Sequence, residues 1–153
     1  WISDRFGHKL LIVVFSMFSV ATIVAIPHLG SGFMLGVGLG ALGGLPHGVA
    51  NSILLPHAMR FNRETAAGEL ALAAQALGAD TNGLTPVQAA DAAIAAVEQL
   101  QRSIGVPRSL SQAGLDRSLL PQLARGAMSD RGLYFNPRLA SQAEVLALLE
   151  AAW

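Results

Sequence analysis

The chain has 153 residues, with ten Lys and Arg balanced by ten Asp and Glu, and no cysteine. A neutral balance gives no electrostatic case for a nucleic-acid partner, and the missing thiols exclude disulfide frameworks and cysteine zinc sites. The charge is unevenly placed. No Asp, Glu, Lys or Arg occurs from Leu10 to Met59, whereas the remainder carries charge at nearly every turn. This shift predicts two unlike pieces joined near residues 33 to 45. The first residue is Trp1 rather than Met, so a fragment of something longer is expected.

The first predicted element is "LLIVVFSMFSVATIVAI", Leu10 to Ile26, apolar on every face and ended by Pro27. Its length sits at the short end of the ~17–25 residues that span a bilayer. A second run, "SGFMLGVGLGALGGL", covers Ser31 to Leu45. Its glycines would each cost a soluble helix roughly 1 kcal/mol. In lipid they would allow close helix approach, and Gly36, Gly40 and Gly44 form a small-xxx-small row. A helix buried in a soluble protein is the alternative, and it would need a large host to cover it. A signal peptide fits less well, because a second apolar run follows the first.

The preceding "WISDRFGHK" resembles the loop signature of the major facilitator superfamily of membrane transporters. Asp4, Arg5, Gly7 and Lys9 match it, and His8 stands where a basic residue is usual. The resemblance covers residues 1–44 and implies a transporter-like helix pair. Membrane association would run through residues 10–45, with Arg5 and Lys9 on the cytoplasmic side and the remainder a cytoplasmic tail. Without that piece, a cytoplasmic location is expected.

From residue 45 the pattern changes to capped, amphipathic helices. "LPHGVANSILLPHAMRFN" predicts a loop and then a helix that buries Val49, Ile53, Leu54 and Met59. Glu64 to Ala79 is Ala/Leu-rich, with Gly78 as a stop signal. Thr85-Pro86-Val87-Gln88 is a capping box with proline at the first helical position. Val87, Ala90, Ile94, Val97, Leu100 and Ile104 then recur at helical spacing as one buried face. Gly105 and Pro107 end that helix. Asp116 is a cap for Arg117 to Met128, and Ser141 to Glu144 a second capping box for a helix through Leu149. No segment alternates strictly, so strands are not expected. The expected fold is all-α: two apolar transmembrane-like helices followed by a small helical bundle over 45–153.

The bundle carries a second resemblance. "LPHGVANSILLPHAMRFN", "LTPVQAADAAIAAVEQLQRSIGVPRSL" and "DRGLYFNPR" are similar, in order, to the C-terminal helical domain of iron-containing alcohol dehydrogenases. The resemblance implies NAD(P)-dependent interconversion of a small alcohol and its aldehyde, with iron (Fe2+) or zinc polarising the alcohol oxygen. It also implies that His47, the His of "PHG", is a metal ligand, since imidazole suits either ion. Read without the resemblance, a lone His beside Pro and Gly is a loop residue or a helix-start hydrogen-bonder.

The implied site is incomplete. The family places further histidines fourteen and ten residues before the "PHG" His, where this chain has Phe33 and Val37. The earlier Asp and His ligands and the nucleotide domain have no counterpart either. "GVGLGALGG" lacks the GxGxxG spacing of a phosphate loop. His57 lies ten residues beyond His47, about 15 Å along a continuous helix, too far to share a metal. His28 is expected in the loop after Pro27. Asp91 reads as a surface charge, Ser109 and Ser111 lack a nucleophile pattern, and Asn136-Pro137-Arg138 reads as a turn that leaves Arg138 able to pair with a carboxylate. An isolated chain is therefore expected to be inactive. A transporter fragment with a fused tail, or a non-functional fusion, stand as the alternatives.

Overall fold

The computed structural model describes residues 43–129, 133 and 135–153. Within them the chain forms α1 (His47–Asn62), α2 (Ala67–Ala76), α3 (Pro86–Ile104), a 3-10 turn (Arg117–Leu119), α4 (Leu120–Ala127) and α5 (Gln142–Ala152). α2 packs on α3, α4 on α5, and α1 touches both α3 and α5.

α1 continues through Pro56. Proline has no N–H, so the carbonyl four residues earlier, on Ser52, loses its helical donor. The side-chain amide of Gln101 on α3 donates to that carbonyl instead. Residues before the proline (Ala50, Ile53, Leu54) enter the larger core with Leu110, Leu120, Leu123 and Leu149. Met59, after it, enters a smaller core with Ala74, Ala93 and Ile94. The expected packing of α1 is thus observed for Ile53, Leu54 and Met59, with Val49 partly buried against the larger core.

α2 starts three residues later than the composition predicts. The Ala66 N–H and the Thr65 hydroxyl both turn back onto the Asn62 carbonyl, holding 63–66 as turns. Gly78, at φ 82°, ends α2 with Gly78 N–H donating to the Gln75 carbonyl and Ala79 N–H to Ala74. This left-handed closure suits glycine because a Cβ would be strained there.

α3 opens on the expected capping box, with Thr85 N–H donating to Gln88 Oε1 at 2.9 Å and Gln88 N–H to Thr85 Oγ1 at 3.3 Å. Its buried residues are Ala89, Ala90, Ala93 and Ile94. The small alanines let α2 approach closely. The expected face is observed only in part: Val87, Val97 and Leu100 are half-buried, and Ile104 is 56% exposed. Helical spacing continues to Ile104, but in the final turn it is Gln101 that faces α1 while the Ile104 side chain is exposed.

Asp116 caps the 3-10 turn that leads into α4, accepting from Ser118 N–H at 2.9 Å. That backbone donation holds the Asp116 carboxyl below its usual range. Leu120, Leu123, Ala124 and Ala127 form the buried stripe of α4. α5 begins at the Ser141–Glu144 capping box and buries Val145, Leu149 and Ala152. Donations from the Ser141 backbone and hydroxyl, and then the Arg138 charge, lower the Glu144 carboxyl.

Two tertiary ties close the bundle. Asn62 and Asn136, both buried, exchange a reciprocal amide pair at 2.9 and 2.8 Å. Arg138 lies 4.2 Å over the Phe61 ring, donates to the Phe61 carbonyl at the C-terminal end of α1, and pairs with Glu144. The expected carboxylate partner of Arg138 is therefore present.

The membrane part of the expected architecture requires correction. The Leu10–Ile26 run and most of the Ser31–Leu45 run lie outside the described residues. Among the described residues, no helix is long and apolar enough to cross a membrane. Leu45, which closes the second run, is 6% exposed inside the protein's own larger core. A Cβ at Gly43 would collide with the Leu115 side chain. Apolar residues here are covered by protein.

Two substitutions test this packing. Ile94→Ala should lower unfolding stability by about 2–5 kcal/mol, as buried truncations do. Gln101→Leu should cost about 1–3 kcal/mol by stranding the Ser52 carbonyl. Urea unfolding followed by circular dichroism measures both, and an unchanged midpoint for either variant would remove its contact from the account.

Candidate functional site

His47 is the first residue of α1, following Pro46, and is partly buried. Pro46 contributes its carbonyl to Val49 and Ala50 N–H groups, so the imidazole is set at a helix start. Asn51, one turn on, shares a 2.9 Å contact between its Nδ2 and His47 Nε2. As oriented, the amide donates, Nε2 accepts, and the ring proton sits on Nδ1. Asn51 Oδ1 is left buried without a partner among the described residues. Turning the amide over would give the opposite pairing, with Oδ1 accepting from Nε2–H. Sequence reasoning singled out His47 and missed Asn51; the signal was the four-residue spacing that places both on one helix face.

The donor set among the described residues does not amount to a complete metal site. Among the described residues no three His, Cys, Asp or Glu side chains converge. A lasting site needs three or four ligands, and the Nε2 lone pair of His47 already engages Asn51.

The other residues taken from the sequence are held elsewhere. His57 is half-buried near the middle of α1. Burial lowers its pKa from the ordinary 6.5, the Arg60 charge lowers it further, and Glu98 partly opposes them. Asp91 pairs with Arg63 at 3.3 Å. The Ser109 and Ser111 hydroxyls bond to one another, and Ser111 donates on to the Trp153 carbonyl. Neither is arranged as a nucleophile. A cleft of ≈ 250 Å³ between α1 and α3 is lined by Arg60, Arg63, Asp91, Ile94, Ala95 and Glu98. Its cations are paired to its carboxylates, Arg60 to Glu98 and Arg63 to Asp91, so it presents little net charge to a ligand.

Residues 19–153 match the Fe-containing alcohol dehydrogenase family, C-terminal. The chain belongs to that family. 1,3-Propanediol dehydrogenase of Klebsiella pneumoniae is 36% identical over 115 residues, covering 75% of this chain and 30% of that protein. Lactaldehyde reductase of Escherichia coli K12 is 37% identical over 115 residues, with the same 75% and 30% coverage. The crystal structure of a 1,3-propanediol oxidoreductase superposes with a TM-score of 0.77 at 34% identity, over 80% of this chain and 32% of that one. The chain thus spans 30% of the length of the curated relatives it matches. Membership implies iron and NAD(P) by resemblance.

The match also corrects the reading of the N-terminal part. It begins at residue 19, so it takes in the end of the Leu10–Ile26 run and all of Ser31–Leu45. The transporter resemblance of residues 1–44 is not supported, and the expected membrane association with a cytoplasmic tail falls with it. The misreading has a physical source. An uncharged run that is apolar on every face describes a helix surrounded by other protein as well as one surrounded by lipid.

The depressed pKa of His57 gives a pH prediction. The unfolded chain takes up the proton more readily than the folded one, so stability is full above the ordinary 6.5 and falls as pH drops through the lowered value. Melting temperatures measured from neutral pH down to the start of the carboxylate range should decline in the wild type. His57→Gln should flatten that decline. An equal slope in the variant would assign it to other groups.

Proposed function

We propose that this chain supplies helical-domain residues of an iron-type, NAD(P)-dependent alcohol dehydrogenase acting on a small alcohol or its aldehyde. The observation that carries the reading is the agreement of fold and sequence over the bundle, and the position of His47 at the first turn of α1 is compatible with it. Residues 45–153 form the partial helical domain in this reading, beginning where the glycine-rich segment gives way to the capped helices. Within it, His47 is the one metal ligand we assign to the described residues. The names of the propanediol and lactaldehyde relatives support a short, oxygenated substrate.

The same reading has the chain inactive by itself. The single imidazole we assign among the described residues falls short of the three or four ligands that hold such an ion. Phe33 and Val37 occupy positions where the resemblance implies histidine, and neither can ligate a metal. The bundle's share of the work is placement: a rigid helix start holding one ring, oriented by the Asn51 amide.

Anaerobic titration calorimetry with Fe(II), run beside an assay of alcohol-dependent NAD(P) reduction, tests this. The expected outcome is weak Fe(II) binding and no reduction of either nucleotide. Tight one-to-one binding that disappears in His47→Ala would show a complete site and overturn the claim of inactivity. Tight binding that survives His47→Ala would overturn the ligand assignment.

A further inference from the structure

The turn between α2 and α3 carries an exposed asparagine–glycine pair. It runs Asp80-Thr81-Asn82-Gly83-Leu84, and the Leu84 N–H closes it by donating to the Thr81 carbonyl at 3.2 Å. Asn82 has a negative φ and Gly83 has φ 74°, the pattern of a type II turn with glycine in its third position. Both residues are exposed. The Asn82 N–H is held by the Asp80 carboxylate at 3.0 Å. The Gly83 N–H donates to no acceptor among the described residues, and a Cβ built on Gly83 would meet nothing within 4 Å. A main-chain N–H with no acceptor among the described residues therefore follows directly on an exposed asparagine.

The other asparagines lack this arrangement. Asn51 lies inside α1 with its amide on His47. Asn62 and Asn136 are buried and bonded to each other. Asn136 also precedes Pro137, whose ring nitrogen carries no hydrogen. Of the four asparagines in the chain, Asn82 alone combines exposure with a following glycine.

We propose that Asn82–Gly83 is a self-modification site, where the asparagine converts to aspartyl and isoaspartyl residues through a cyclic imide. The Gly83 nitrogen attacks Cγ of Asn82, and an N–Cγ bond forms. The Cγ–Nδ2 bond breaks, and the leaving nitrogen takes the Gly83 proton and departs as ammonia. Water then opens the ring at either carbonyl. Opening at the main-chain carbonyl leaves the isoaspartyl form, with one extra methylene in the backbone; opening at Cγ leaves aspartate. No oxidant or cofactor is consumed. The aspartyl product places a new carboxylate just before the start of α3, where the helix dipole favours negative charge. The isoaspartyl product lengthens the turn closed by Leu84 and Thr81, and disturbs the run into the Thr85 cap.

The test incubates the folded full chain in mildly alkaline, heavy-oxygen water, then digests it in acid and maps the peptides by mass spectrometry. Label should accumulate at residue 82 several-fold faster than at Asn51, Asn62 or Asn136, with isoaspartyl linkages in the labelled peptide. Asn82→Ser should abolish it while leaving the helical spectrum unchanged. A synthetic peptide spanning 78–86 provides the reference. If that peptide converts while Asn82 of the folded chain keeps its amide, the turn protects the site and the proposal is wrong. Conversion of the folded chain at the buried asparagines instead would overturn it equally.

Discussion

α1 has to pass through a proline, and the rest of the bundle is arranged around how it does so. A proline in a helix interior costs about 3 kcal/mol or more through the lost hydrogen bond and the clash with the carbonyl one turn back. The cost is tolerable here because α3 lies alongside and Gln101 fills the acceptor that Pro56 leaves open. The contact fixes both position and register. It ties α3 to Ser52, within the stretch of α1 whose Ala50, Ile53 and Leu54 enter the larger core, one turn ahead of Pro56 and of Met59 in the smaller one. α2, which rests on α3, is located by the same contact, while α5 packs against α1 directly.

The two ends of α1 are secured differently. Its start depends on the Pro46 carbonyl and on the His47–Asn51 pair. Its finish is clamped by long-range polar contacts: the Asn62–Asn136 amide pair and Arg138 spread over Phe61. Arg138 brings positive charge to the helix C-terminus, where the dipole favours it, and its pairing with Glu144 links that end to the cap of α5. The ring to which we assign a chemical role therefore sits at the start of α1, remote from the end clamped by Asn136 and Arg138.

Local chemistry was legible in the sequence. Both capping boxes, the Asp116 cap and the glycine stops depend on residues within a few positions of each other, and each is found where the spacing placed it. Features set by distant neighbours were not legible. Nothing near Gln101 announces that a carbonyl 49 residues earlier needs a donor, and the Asn62–Asn136 pair spans 74 residues. Ile104 failed for the same reason: its spacing is helical, but whether a helix face is covered depends on what packs against it. The apolar N-terminal runs are the strongest case. Hydropathy measures what a segment avoids, which is water, and leaves open whether lipid or protein replaces it.

For the proposed ligand, the sequence offered a residue and no arrangement. The "PHG" resemblance singled out His47, while the chemistry of an imidazole depends on which nitrogen holds its lone pair, and that is decided by its neighbour. Asn51 makes the decision here, and it can decide in either direction because a carboxamide offers a donor and an acceptor on opposite sides. With Nδ2 toward the ring, the Nε2 lone pair is occupied and Oδ1 is stranded in a buried position. With Oδ1 toward the ring, Nε2 carries the proton and Nδ1 the lone pair. In neither orientation can Nε2 bind a metal while Asn51 keeps this bond. Ligation through Nε2 would have to displace the amide, whereas ligation through Nδ1 would retain it with Oδ1 facing Nε2–H, which also satisfies the stranded oxygen.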